Sequence, residues 1–124
     1  MKKLTSLVLS IGLGGSLILA GCSSDNSKVS EGVAQMLDTT EQLSNAIDSG
    51  DQAKVKEVGP KLEDQWSSFE DDVKKDNKDL YEKIEKYLDP PIAGSEAATI
   101  DNEALGTLND QLTVSLKELD EKIK

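Results

Sequence analysis

Residues 55–73 read Val55-Lys-Glu-Val58-Gly59-Pro60-Lys-Leu62-Glu-Asp-Gln-Trp66-Ser-Ser-Phe69-Glu70-Asp-Asp-Val73. The large apolar residues are Val55, Val58, Leu62, Trp66, Phe69 and Val73, spaced three, four, four, three and four apart. That spacing places all six on one face of an α-helix. Gly59-Pro60 falls inside the run, and a proline in a helix interior removes a hydrogen bond and clashes with the preceding turn. The stripe stays in phase across the interruption, so the expectation is one kinked helix rather than separate ones.

The same period appears on either side. Val29, Val33, Met36, Leu37, Thr40, Leu43, Ala46 and Ile47 form an earlier stripe. Between the two, Gly50 suits a left-handed helix end and Asp51 suits the cap of the next helix. Leu80, Ile84, Tyr87 and Leu88 make a shorter third stripe, which Pro90-Pro91 is expected to stop. Residues 89–99 then read as an irregular loop. Asp101 is placed to cap a last helix carrying Leu105, Leu108, Leu112, Leu116, Leu119 and Ile123. Four amphipathic helices with short connections predict an all-α fold, an antiparallel up-down four-helix bundle over residues 29–124. Leu62, Trp66, Phe69 and Leu112 are its expected core. Such a lean core predicts net stability near the lower end of about 5–15 kcal/mol.

The chain has 124 residues, with 14 basic and 24 acidic side chains and no His. Every basic residue is Lys. A surface of this sign repels phosphate backbones, which excludes nucleic acid as a partner and favours cations or basic proteins. Without His, and with a single Cys, nucleophilic catalysis of the usual kinds lacks its base and its thiol. The expectation is a non-enzymatic protein; the alternative is an enzyme that uses paired carboxylates for acid–base work. Only oxygen ligands are left for a metal, which suits hard ions such as Ca²⁺, Mg²⁺ or Fe³⁺. Pairs at helical spacing are Glu63 with Glu70, Glu82 with Glu85, and Asp72 with Asp76; Tyr81 and Tyr87 add phenol oxygens. The alternative for each pair is a solvated acidic face broken up by Lys.

At the other end of the chain, Lys2 and Lys3 precede an uncharged apolar run that ends in Leu19-Ala20-Gly21-Cys22. A basic start, an apolar middle and small residues at a cut site describe a secretory signal. The run is short and Gly-rich for a spanning helix. The tetrapeptide resembles the lipobox of bacterial lipoproteins. That resemblance implies diacylglycerol on the Cys22 thiol and cleavage before it. Residues 1–21 would be a signal peptide, 22–28 a lipidated tether, and the mature protein an extracytoplasmic one held on the cell membrane. Losing Lys2 and Lys3 with the signal takes the net charge from −10 to −12.

A second resemblance rests on Trp66, Glu70 and the turn Tyr81-Glu82-Lys83-Ile84-Glu85. Together with Ala46-Ile47-Asp48-Ser49-Gly50-Asp51, this pattern is similar to small extracytoplasmic helical domains of bacterial iron uptake: the EfeO-type lipoproteins and the N-terminal region of Gram-positive high-affinity iron permeases. It covers roughly residues 40–120. It implies a bundle that hands iron to a membrane iron permease, with Glu70, Tyr81 and Glu85 as ligands and Trp66 beside them. The Arg-Glu-x-x-Glu motif of the permease membrane domain and the His motif of imelysin-type domains are absent. The alternative is a structural or partner-binding lipoprotein that holds no metal.

Overall fold

The structure is a computed structural model that describes residues 24–124. The expected signal segment, residues 1–21, and Cys22 lie outside the described residues. The described residues form six helices and no strand: α1 (Ser24–Ser49), α2 (Gln52–Val58), α3 (Lys61–Ser67), α4 (Glu70–Asp76), α5 (Lys78–Glu96) and α6 (Asn102–Ile123). α1 begins at Ser24, so the helix takes in most of the stretch expected as a tether. α1 packs along α6 and also against α2, α3 and α4; α5 packs along α6 and against the same three short helices.

The caps form as the sequence predicts. Gly50 has φ +70°, the left-handed conformation that costs glycine least. The Asp51 and Asp101 carboxylates accept from the Lys54 and Ala104 amides, at 3.0 and 3.1 Å. Asn77 holds the N-cap position of α5 and makes no side-chain cap bond.

Two further expectations, each drawn from a proline, fail. The kinked helix over residues 55–73 is three helices. At Gly59-Pro60 the chain passes through turns in which Leu62 N–H donates to the Gly59 carbonyl and Glu63 N–H to that of Pro60. A second break, at Ser67-Ser68, involves no proline. The Ser67 and Ser68 hydroxyls donate back to the Asp64 and Gln65 carbonyls, competing with the helix for its own acceptors. Phe69 then leaves helical geometry at φ −139°, ψ 2°. All six stripe residues stay buried across both breaks, so the pattern foresees which side chains go inside but not the integrity of the backbone.

Pro90-Pro91 does not stop α5, and the expected loop at residues 89–99 is helix as far as Glu96. Ile84, Leu88, Pro91 and Ser95 continue one buried face through the prolines. A proline inside a helix costs roughly 3 kcal/mol, and burial of that continuous face offsets it. The two irregular regions meet: a side chain at Gly59, beside the first break, would run into Ser95, beyond the prolines.

The core contains Leu62, Trp66, Phe69 and Leu112, each at most 1% exposed, with Met36, Leu43, Ile84, Leu88, Leu116 and Leu119 around them. Gly32 of α1 lies flat against the Phe69 ring, which leaves no room for a larger residue there. Of the α6 stripe, Leu108 is only half-buried, while Asn109 and Ser115 are fully buried.

Candidate functional site

The α3–α4 junction and the first half of α5 bring together Trp66, Glu70, Tyr81 and Glu85. Trp66 and Glu70 stand on either side of the α3–α4 break and both approach Glu85; Tyr81 and Glu85 lie one turn apart on α5. The Trp66 indole N–H donates to a Glu85 carboxylate oxygen. The Tyr81 ring stacks on Trp66 with centroids 5.9 Å apart and planes 23° apart. Phe69 meets the indole edge-on, at 5.2 Å and 80°. Trp66 therefore packs against two rings, and its N–H gives Glu85 one fixed orientation.

Glu70 stands next to Glu85, close enough to share a hydrogen bond when one of the two is protonated. Partial burial is the first cause that holds the Glu70 carboxyl above the ordinary value of 4.5; the negative charge of Glu85 and that shared bond come next, then Asp71 and Glu63. Partial desolvation, then Glu85, Glu70 and Asp71, push the Tyr81 phenol above 10.0. Lys74 lies 5.3 Å from the centre of the Tyr81 ring and supplies a positive charge close to the group.

The folded state binds the Glu70 proton more tightly than the unfolded chain does. The stability this adds is fully present below about pH 4.5 and fades as pH rises through the higher folded value. Above that value two carboxylates face each other. Glu70→Gln is thus expected to flatten the pH dependence of unfolding and to raise stability at pH 7 by less than about 1 kcal/mol, as befits a partly exposed pair. Urea midpoints between pH 4 and pH 8 would show it; parallel curves for the two proteins would contradict it.

The other expected pairs do not join this group. Glu82 is exposed and ion-paired to Lys78 at 3.8 Å. Asp72 pairs with Lys28 at 3.6 Å, and Asp76 is exposed. Tyr87 lies in a different groove, with Lys83 and Val114. Asp71 and Lys74, which act on the site, were not singled out from the sequence; Lys74 stands four residues after Glu70, and that i,i+4 spacing was the available signal. Among the described residues no three His, Cys, Asp or Glu gather as a metal-holding group. What the site offers a hard cation is two carboxylates and a phenol.

No protein-family model matches the chain, and no solved structure matches it. Among curated proteins it is similar to the iron uptake system component EfeM of Bacillus subtilis (strain 168), with 29% identity over 97 residues. The match takes in 78% of this chain and 25% of EfeM, so the chain spans about a quarter of that protein's length.

Proposed function

We propose that this protein is a lipid-anchored, extracytoplasmic, non-enzymatic accessory of iron uptake, an up-down helical bundle that holds iron weakly at Glu70, Glu85 and Tyr81 and passes it to a membrane permease. The similarity to EfeM carries the reading. The convergence of the two carboxylates and the phenol on the indole supports it from the side of chemistry. Two or three oxygen donors leave most of an iron ion's coordination sphere to water or to the next carrier, which suits transfer rather than storage. The anchor rests on Cys22 and its lipobox; none of the described helices is long and apolar enough to cross a membrane.

Trp66 is the only tryptophan, so its fluorescence reports on this one site. Titrating Fe³⁺, supplied as a weak chelate, into the detergent-solubilised full chain should quench it saturably. A visible phenolate-to-iron band should grow in step and vanish in Tyr81→Phe. Glu85→Ala and Glu70→Ala should each weaken binding by about tenfold or more, the equivalent of one lost charged contact. Unsaturable quenching, or equal affinity in these variants, would leave a partner-binding lipoprotein without a metal, to be sought by pull-down from membranes. Mass spectrometry of the membrane fraction should find Cys22 acylated at a new N-terminus.

A further inference from the structure

The Trp66 site lies toward one end of the bundle. Lys28, in the second turn of α1, pairs with Asp72 of α4 at 3.6 Å. One turn further on, Gly32 lies against the Phe69 ring, and the Trp66 ring centroid is 5.2 Å from that of Phe69. Trp66 therefore stands beside the first half of α1. The end of α6 is there too, since Lys122 shares a groove with residues 76–80 around the α4–α5 junction. The Gly50 turn and the start of α2 form the opposite end, about 39 Å away along the 26 residues of α1.

The Trp66 end is also where the chain meets its anchor; the placement that follows rests on the acylation of Cys22 proposed above. α1 begins at Ser24. Two residues of chain reach at most about 7 Å, so a lipid on Cys22 holds the first turn of α1 at the headgroups, with no slack to lift it. From Ser24 to Gly32 the helix advances roughly 12 Å. The Trp66 ring is thereby kept within roughly 30 Å of the acylated residue. Lying flat would press the exposed acids Asp38, Glu41 and Asp110 of the α1 and α6 flanks onto the headgroups, which an anionic surface resists. At the anchored end, the exposed acids Asp76 and Asp79 stand among Lys74, Lys75, Lys78 and Lys122.

We propose that the bundle stands end-on on the lipid headgroups, resting on the start of α1, the α4–α5 junction and the end of α6, so that the Trp66 site is held close to the membrane surface and α2 away from it. The only tryptophan serves as an energy donor through space, although its ring is buried. The acylated full chain, reconstituted into phosphatidylglycerol–phosphatidylethanolamine vesicles with a dansyl-labelled headgroup lipid as acceptor, should show strong transfer from Trp66. Twenty Gly/Ser residues inserted between Ser23 and Ser24 span about 25 Å and should reduce the transfer at least twofold. Moving the donor to the opposite end, with Trp66→Phe and the exposed Gln52→Trp, should reduce it at least twofold as well. Mass spectrometry of the same vesicles reports on Cys22. An unacylated chain would remove the anchor and this placement together. An acylated chain whose transfer is unchanged by the insert, or equal from positions 66 and 52, would overturn the end-on placement alone.

Discussion

Trp66→Ala is expected to lower the unfolding free energy by about 3–5 kcal/mol, the usual cost of emptying a large buried aromatic site. The ring is 1% exposed and packs against two aromatic neighbours, Phe69 and Tyr81. Each such pair adds about 0.5–1.5 kcal/mol beyond burial, so the upper half of the range applies. The cavity would lie where α3, α4 and α5 meet, and collapse there would require moving two chain breaks and the Tyr81 stack. Set against a total near the bottom of about 5–15 kcal/mol, the loss removes much of the domain's stability. Urea unfolding followed by far-UV circular dichroism is the suitable measurement, because the substitution also removes the only tryptophan. Trp66→Phe should cost distinctly less, since it keeps most of the packed volume and loses the N–H to Glu85. A loss below about 1 kcal/mol in Trp66→Ala would mean that the aromatic cluster does not hold these helices together.

The second large effect is expected from a single added methyl group. A Cβ on Gly59 would overlap both Ser95 Oγ and Ser95 Cβ. Ser95 is fully buried, and its hydroxyl donates to the Ile92 carbonyl at 2.7 Å, so it has nowhere to turn. Gly59 itself has helical backbone angles. On local propensity alone, alanine there should therefore be favoured by about 1 kcal/mol. Overpacking should outweigh that gain and leave a net loss of about 1–3 kcal/mol. Gly106→Ala serves as the control: its Cβ meets nothing closer than Ile47 at 3.9 Å, so the same change in α6 should stabilise. Combining Gly59→Ala with Ser95→Gly should recover stability beyond additivity, as a double-mutant cycle would record. Thermal unfolding of the wild-type protein, Gly59→Ala, Ser95→Gly, their combination and Gly106→Ala decides it; equal and stabilising effects of alanine at positions 59 and 106 would show that the α2–α3 break does not rest on Ser95.

These two sites mark where local reading succeeds and where it stops. Burial of Leu62, Trp66, Phe69 and Leu112 was legible because apolar spacing encodes a face whether or not the backbone along it is continuous. The caps at Gly50, Asp51 and Asp101 were legible because a turn or a cap involves only a few neighbouring residues. Of the site, Trp66, Glu70, Tyr81 and Glu85 were legible as residues through a resemblance, whereas the Trp66–Glu85 bond and the Glu70–Glu85 contact link different helices.

By itself the sequence determined that residues 29–124 are helical and without strands, and which side chains along each apolar stripe turn inward. Only the tertiary structure decided that α5 runs through Pro90-Pro91, that the Val55–Val73 stripe is carried by three helices, and that Asn109 of α6 donates to the Thr40 carbonyl of α1. Proline and serine penalties are local and amount to a few kcal/mol. They are overruled or expressed according to the surface that can be buried against helices distant in the chain, and no local window contains that sum.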